Sequence, residues 1–254
     1  MTDPILVELL YQLADDELVI GHRDSEWLGL APHLEEDIAF GSIAQDEVGH
    51  AAAFYHMLEE LGLGGADDLA FLRPAAERRN AVLVERPNGE GTYLQDPAFD
   101  WGYTVARRLA YDLHDAIRLE ALGQSAYRPL AQLAGKIRRE ERYHLLHHAT
   151  WFRRLAEGTE ESRRRLCTGI ERAWEDVGGL FVGAASEYWP VSPSEVRDRW
   201  VEELRPQFHA VGLAFPLHIP APALDGRAGQ HTPALGALLE TMGEVYRTAP
   251  GAAW

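Results

Sequence analysis

Apolar residues recur along this chain at alternating steps of three and four, the period of a helix that buries one face. One seam reads Phe40, Ile43, Glu47, His50, Phe54, Met57, Leu61. Another reads Ala134, Ile137, Glu141, His144, His148, Trp151, Leu155. Two further seams run through Leu6, Leu10, Leu13, Glu17, Ile20 and through Val105, Leu109, Asp112, Ala116, Leu119. Breakers and caps bound the helices. The pattern predicts a first helix over 3–29, ending before Ala31-Pro32, and a second over 34–61, ending at Gly62-Leu63-Gly64-Gly65. A third starts with Pro97 in its first turn and runs to Gln124, and a fourth covers 129–156. Thr159 is placed to cap a fifth helix reaching Tyr188, and Ser192-Pro193 to open a sixth. Residues 216–229 read as loop, and Thr232-Pro233 opens a last helix towards Tyr246.

The first and second helices, and the third and fourth, are joined tightly, which predicts two antiparallel hairpins. Some 35 residues with no long helix separate the hairpins, including the turn Pro87-Asn88-Gly89. A helix of about 28 residues is about 42 Å long, a distance an extended segment of that size can span. A loop of such length calls for a purpose, and a crossover is one. The expected fold is therefore all-α: a ferritin-like four-helix bundle with a long crossover and additional C-terminal helices. We read it as a single domain over 1–254, with hairpins at 1–61 and 98–157, the crossover at 62–97 and extra helices at 158–254.

Each of the four seams contains a carboxylate near mid-length, and two repeat Glu-x-x-His with an acid just before the Glu: QDEVGH at 45–50 and REERYH at 139–144. Buried carboxylates lose several kcal/mol of solvation and repel one another. Two bound cations relieve both costs, and oxygen ligands with one imidazole per metal suit iron or manganese. Spacing of i, i+3 sets Glu and His one turn apart on one face. The candidate metal ligands are Glu17, Glu47, His50, Asp112, Glu141 and His144, with Asp115 and His114 as competitors of Asp112 on the third helix. Without a metal, some of these acids would be protonated, or paired with Arg108 or a histidine. Asp46 and Glu140 would orient the ligating histidines crosswise, Asp46 for His144 and Glu140 for His50. His148 fits a satisfied core histidine, and Asp15, Asp16, Asp24 and Asp37 fit surface or outer-shell polar groups.

Charge and composition narrow the field. A formal net charge of −16 argues against nucleic-acid or anionic-membrane partners. The run Arg163-Arg164-Arg165 fits a solvated helix face, or else a dock for an acidic or phosphate-bearing partner. One cysteine, Cys167, forms no internal disulfide and suits a reducing compartment. No signal peptide or apolar span of membrane length is expected, so the expected location is cytoplasmic. There is no phosphate loop, dinucleotide fingerprint or serine nucleophile elbow in the sequence.

The stretches EWLGLAPHLEEDIAFGSIAQDEVGHA, VLVERPNG, EERYHL and HTPALGALLETMGEVYRTAPGAAW span almost the full chain. On them the sequence resembles the C subunits of bacterial phenylacetyl-CoA 1,2-epoxidase, a ring-1,2-epoxidase of phenylacetate catabolism in the ferritin-like superfamily. The resemblance implies membership of a multicomponent monooxygenase, as a structural partner of a related catalytic A subunit that holds the di-iron centre. It also implies a reductase that supplies electrons, phenylacetyl-CoA as substrate of the complex, and hetero-oligomers with scope for self-association. Such C subunits have typically lost the di-iron ligands, whereas this sequence keeps a nearly complete set, so a retained di-iron or manganese centre is expected. The alternatives are a catalytic di-iron oxygenase acting on an aromatic acyl-CoA, and a ferritin-like metal-storage or peroxide-scavenging protein.

Overall fold

Asp3 opens the first helix, its carboxylate accepting the Ile5 N–H at 2.8 Å, with Pro4 in the first turn. In the computed structural model, which describes residues 2–249 and 252, α1 spans Pro4–Ser25 and α2 spans Leu34–Glu60. A Cβ on Gly21 would lie 2.9 Å from Glu47 Cβ; His50 approaches Glu17, and Tyr55 bonds Asp15. As one residue number rises the other falls, so α1 and α2 form an antiparallel hairpin. The same reasoning joins α5 (Trp101–Leu122) to α6 (Arg128–Glu157): Glu120 meets Arg138, and Asp112 meets His148.

Between α2 and α5 the described chain has only short elements. They are α3 (Ala66–Phe71), a 3-10 turn, α4 (Val82–Glu85) and the hairpin of β1 (Gly89–Thr92) with β2 (Gln95–Phe99). Downstream lie α7 (Glu160–Trp174), α8 (Pro193–Ala210), α9 (Pro233–Met242) and α10 (Glu244–Thr248). The described residues are thus all-α apart from one small hairpin, the class expected of a ferritin-like protein.

Some boundaries differ from those read in the sequence, and α1 ends at Ser25, four residues before Gly29. Pro97 sits in β2, and Asp100 caps α5 by accepting the Tyr103 N–H at 3.1 Å. α7 ends at Trp174, because Gly178-Gly179 carries little helix propensity and Gly178 abuts the Pro220 carbonyl, where a Cβ would clash. Gly243 splits the last helix into α9 and α10. The caps at Thr159 and Ser192 form as expected, the latter as a capping box with Glu195. The final residues of the C-terminal block, Pro250, Gly251, Ala253 and Trp254, lie outside the described residues, as does Met1.

The chain divides into two compact units. The first comprises the described residues of Met1–Pro87 and Leu224–Trp254; the second is Asn88–Ala223. In the first unit, buried acids of α1 organise the irregular segments. Asp15 accepts from Tyr55 at 2.6 Å, from Arg73 at 2.9 and 3.0 Å, and from Arg78 at 3.0 Å. Asp16 takes both arms of Arg227 at 2.8 Å and the Ala81 N–H at 2.8 Å. Glu85 in α4 binds His231 at 2.7 Å and the Thr232 N–H at 2.6 Å, while its carbonyl accepts from Arg23. These pairs satisfy charges that burial would otherwise penalise heavily. In the second unit, α5 and α7 meet backbone to backbone at Gly102 and Gly169. Trp174 packs against Trp200 and Phe208 of α8 and edge-on against Phe215.

Candidate metal centre

In the first unit, Glu17 of α1 and Glu47 and His50 of α2 are brought together. Each is buried, and each offers a ligand atom within 4.8 Å of the others'. His50 Nδ1 lies 3.6 Å from Glu17 Oε2. Gly21, one turn beyond Glu17, permits this approach, since any side chain there would collide with Glu47. Two carboxylates and an imidazole in a buried pocket of this kind are a donor set for one iron or manganese ion, so these residues fit the metal.

In the second unit, Glu141 and His144 are also buried, with His144 Nδ1 3.0 Å from Glu141 Oε1. The spacing of one helical turn thus brings both side chains to one point, as the motif predicts. Asp112 is differently placed. Arg108, one turn earlier on α5, sets Nη2 3.0 Å from Asp112 Oδ1, and His148 sets Nδ1 2.6 Å from Asp112 Oδ2. All three side chains are fully buried. Its competitor Asp115 is engaged as well, by Arg118 at 2.8 and 2.5 Å. Both α5 acids therefore have protein cations or donors on their oxygens, and the donor set here does not fit a second metal as well as the first unit's set does. His114 packs edge-on against Phe181 at 5.7 Å.

His148 is the satisfied core histidine expected, its partner being Asp112. Asp46 is half-buried and Glu140 exposed. Asp37 is half-buried and accepts the Gly29 N–H. Asp15, Asp16 and Asp24 are fully buried, which corrects the surface reading of them. α1 has no solvent face from Leu13 to Gly21, so Asp15, Asp16 and Glu17 all need counter-charges or donors. The arginine run is spent locally. Arg163 donates to the carbonyls of Ala156, Val211 and Gly212, and Arg164 and Arg165 both bind Glu161. Arg118 was missed in the sequence, although its i, i+3 spacing to Asp115 is a readable signal. Gly21 left none, because a glycine inside a helix looks the same whether or not a neighbour needs the room.

The family model for phenylacetic acid catabolic proteins matches residues 1–254. The chain belongs to that family. Among its curated members, the C subunit of the 1,2-phenylacetyl-CoA epoxidase of Escherichia coli K12 is 32% identical over 250 residues, covering 96% of each chain. The A subunit of the same enzyme is 23% identical over 222 residues, covering 83% of this chain and 68% of that one. Family membership agrees with the all-α element order and with the paired Glu-x-x-His motifs. No helix among the described residues is long and apolar enough to cross a membrane.

Proposed function

We propose that this protein is an accessory subunit of a phenylacetyl-CoA epoxidase, a cytoplasmic complex in which a related A-type subunit performs the oxygenation and a reductase delivers electrons. The observation that carries the reading is the identity to the C subunit of the bacterial enzyme, which is higher and more complete in both chains than the identity to its A subunit. Asp112 supports it. A ferritin-like oxygenase with two metals draws an acid from each of four helices, and here the α5 acid is occupied by Arg108 and His148.

The proposal includes one retained cation. Glu17, Glu47 and His50 would hold it; Glu141 and His144 lie one turn apart on α6 of the second unit. When bound, iron or manganese supplies Lewis acidity and a redox couple. The chain's own residues bury the carboxylates, present the His50 ring beside Glu17, and keep Asp112 tied to Arg108. Binding to the folded chain alone stabilises it by linkage.

Oxygen uptake coupled to phenylacetyl-CoA tests the assignment. Uptake is expected only when reductase and an A-type subunit both accompany this chain. Substrate-dependent uptake by this chain with reductase alone would establish the catalytic oxygenase reading instead. Metal analysis tests the cation: Glu47→Ala should lower bound iron or manganese and abolish the rise in melting temperature on adding metal. A melting temperature indifferent to both metal and chelator would leave a purely structural subunit.

A further inference from the structure

α6 is buried on the side that bears Ile137, Glu141, His144 and His148. At about 100° per residue, Lys136, Arg139, Arg142, Tyr143, Leu146 and Arg153 fall on one stripe along the opposite side. All six are exposed, with Tyr143 at 71% and Leu146 at 62% in the middle of the stripe.

The stripe is unusual within this chain. Its other arginines are mostly committed: Arg199 bridges Glu120 and Glu203, Arg79 meets Glu8, and Arg227 holds Asp16. Lys136, Arg142 and Arg153 have no ion-pair partner among the described residues, and Arg139 reaches a carbonyl, that of Gly135, at 3.4 Å. Cations three apart on one helix face repel. Solvation alone explains a polar face, but not a tyrosine and a leucine exposed at its centre between unpaired arginines. Arginine and tyrosine around an apolar centre is the composition of residues that dominate protein interfaces.

Charge decides the occupant. A second copy docked stripe to stripe would set cations against cations. A second copy docked by one of its acidic faces would form a head-to-tail contact, which propagates into open chains unless the rotation closes. Nucleic acid would be repelled by a protein of net charge −16. We propose that the outward face of α6, from Lys136 to Arg153, docks an acidic face of the catalytic partner. The inference rests on the accessory-subunit reading and assigns a surface to it.

The test uses the full chain and a purified A-type subunit, with affinity and rates measured at low and high salt. Arg139→Glu/Arg142→Glu should weaken binding about 100-fold at low salt, with a slower association rate. Tyr143→Ala/Leu146→Ala should weaken it about tenfold, mainly through faster dissociation. Arg164→Glu/Arg165→Glu on α7 serves as a control and should bind as wild type. All these side chains are exposed, so circular dichroism should show each variant folded. If wild type binds and the stripe variants bind equally well, the α6 assignment falls while the accessory reading stands. If wild type does not bind, the accessory reading falls and the surface with it. Wild-type binding to a single-stranded oligonucleotide, lost in the charge-reversal variant, would overturn the proposal in favour of nucleic acid.

Discussion

Arg108 changes the meaning of a residue that the seam marks as a metal ligand. A carboxylate on the buried face of α5 needs a counter-charge, and the periodicity cannot say whether a metal or a guanidinium provides it. In this chain Arg108 and His148 share Asp112. Removing one partner of a buried pair costs about 3–5 kcal/mol, whereas replacing both by apolar groups is close to neutral. Arg108→Leu should therefore lower the unfolding free energy by about that much, and Arg108→Leu/Asp112→Leu should restore most of it in urea denaturation. A single variant as stable as the double would mean that the charge is not buried as a pair. His22 gives a second residue-scale prediction. Burial and then the neighbouring Arg23 lower its pKa from 6.5 to about 4, against the pull of a helix C-terminus, which favours a charged imidazole. The unfolded chain takes up a proton below pH 6.5 and the folded chain does not until about pH 4. The stabilising contribution is thus complete above pH 6.5 and declines as pH falls towards 4. His22→Gln should flatten the stability profile in that window; an unchanged slope would assign the effect elsewhere.

At the scale of elements, periodicity placed the four seam-bearing helices to within about four residues, because each buries a continuous apolar seam, whereas α7 stops well short of Tyr188. The β hairpin was not legible. Residues 89–99 contain Gly89, Gly91 and Pro97 and little β-branched character, so the pairing depends on its surroundings rather than on propensity. Nor does a sequence say which glycines sit at contacts. A Cβ on Gly169 would lie 2.5 Å from Tyr103 N, so Gly169→Ala must push α7 off α5. Overpacking of this kind costs about 1–3 kcal/mol. A Cβ on Gly135 of α6 would meet nothing within 4 Å, and Gly135→Ala should raise stability by up to about 1 kcal/mol through helix propensity. Melting the two variants side by side tests the contrast; equal effects would show that α5 and α7 separate freely.

For the whole molecule, the class of fold and half of the candidate centre were readable, since both follow from local spacing. The partners of Asp15 and Asp16 were not. Arg73, Arg78 and Arg227 are far along the chain from α1, and an ion pair over 211 residues leaves no periodic trace. That last pair has an effect on how the protein is made. The first unit draws its closing segment from beyond Ala223, so a ribosome delivers the whole second unit before Arg227, His231 and Thr232 can reach Asp16 and Glu85. A chain ending at Ala223 should accordingly show faster amide exchange throughout α1 than the full chain, and unchanged protection there would contradict this. Until the final segment emerges, Asp16 on α1 and Glu85 on α4 lack their hydrogen bonds to Arg227, His231 and Thr232. Such a nascent chain exposes an unfinished surface for longer than one whose domains close in order.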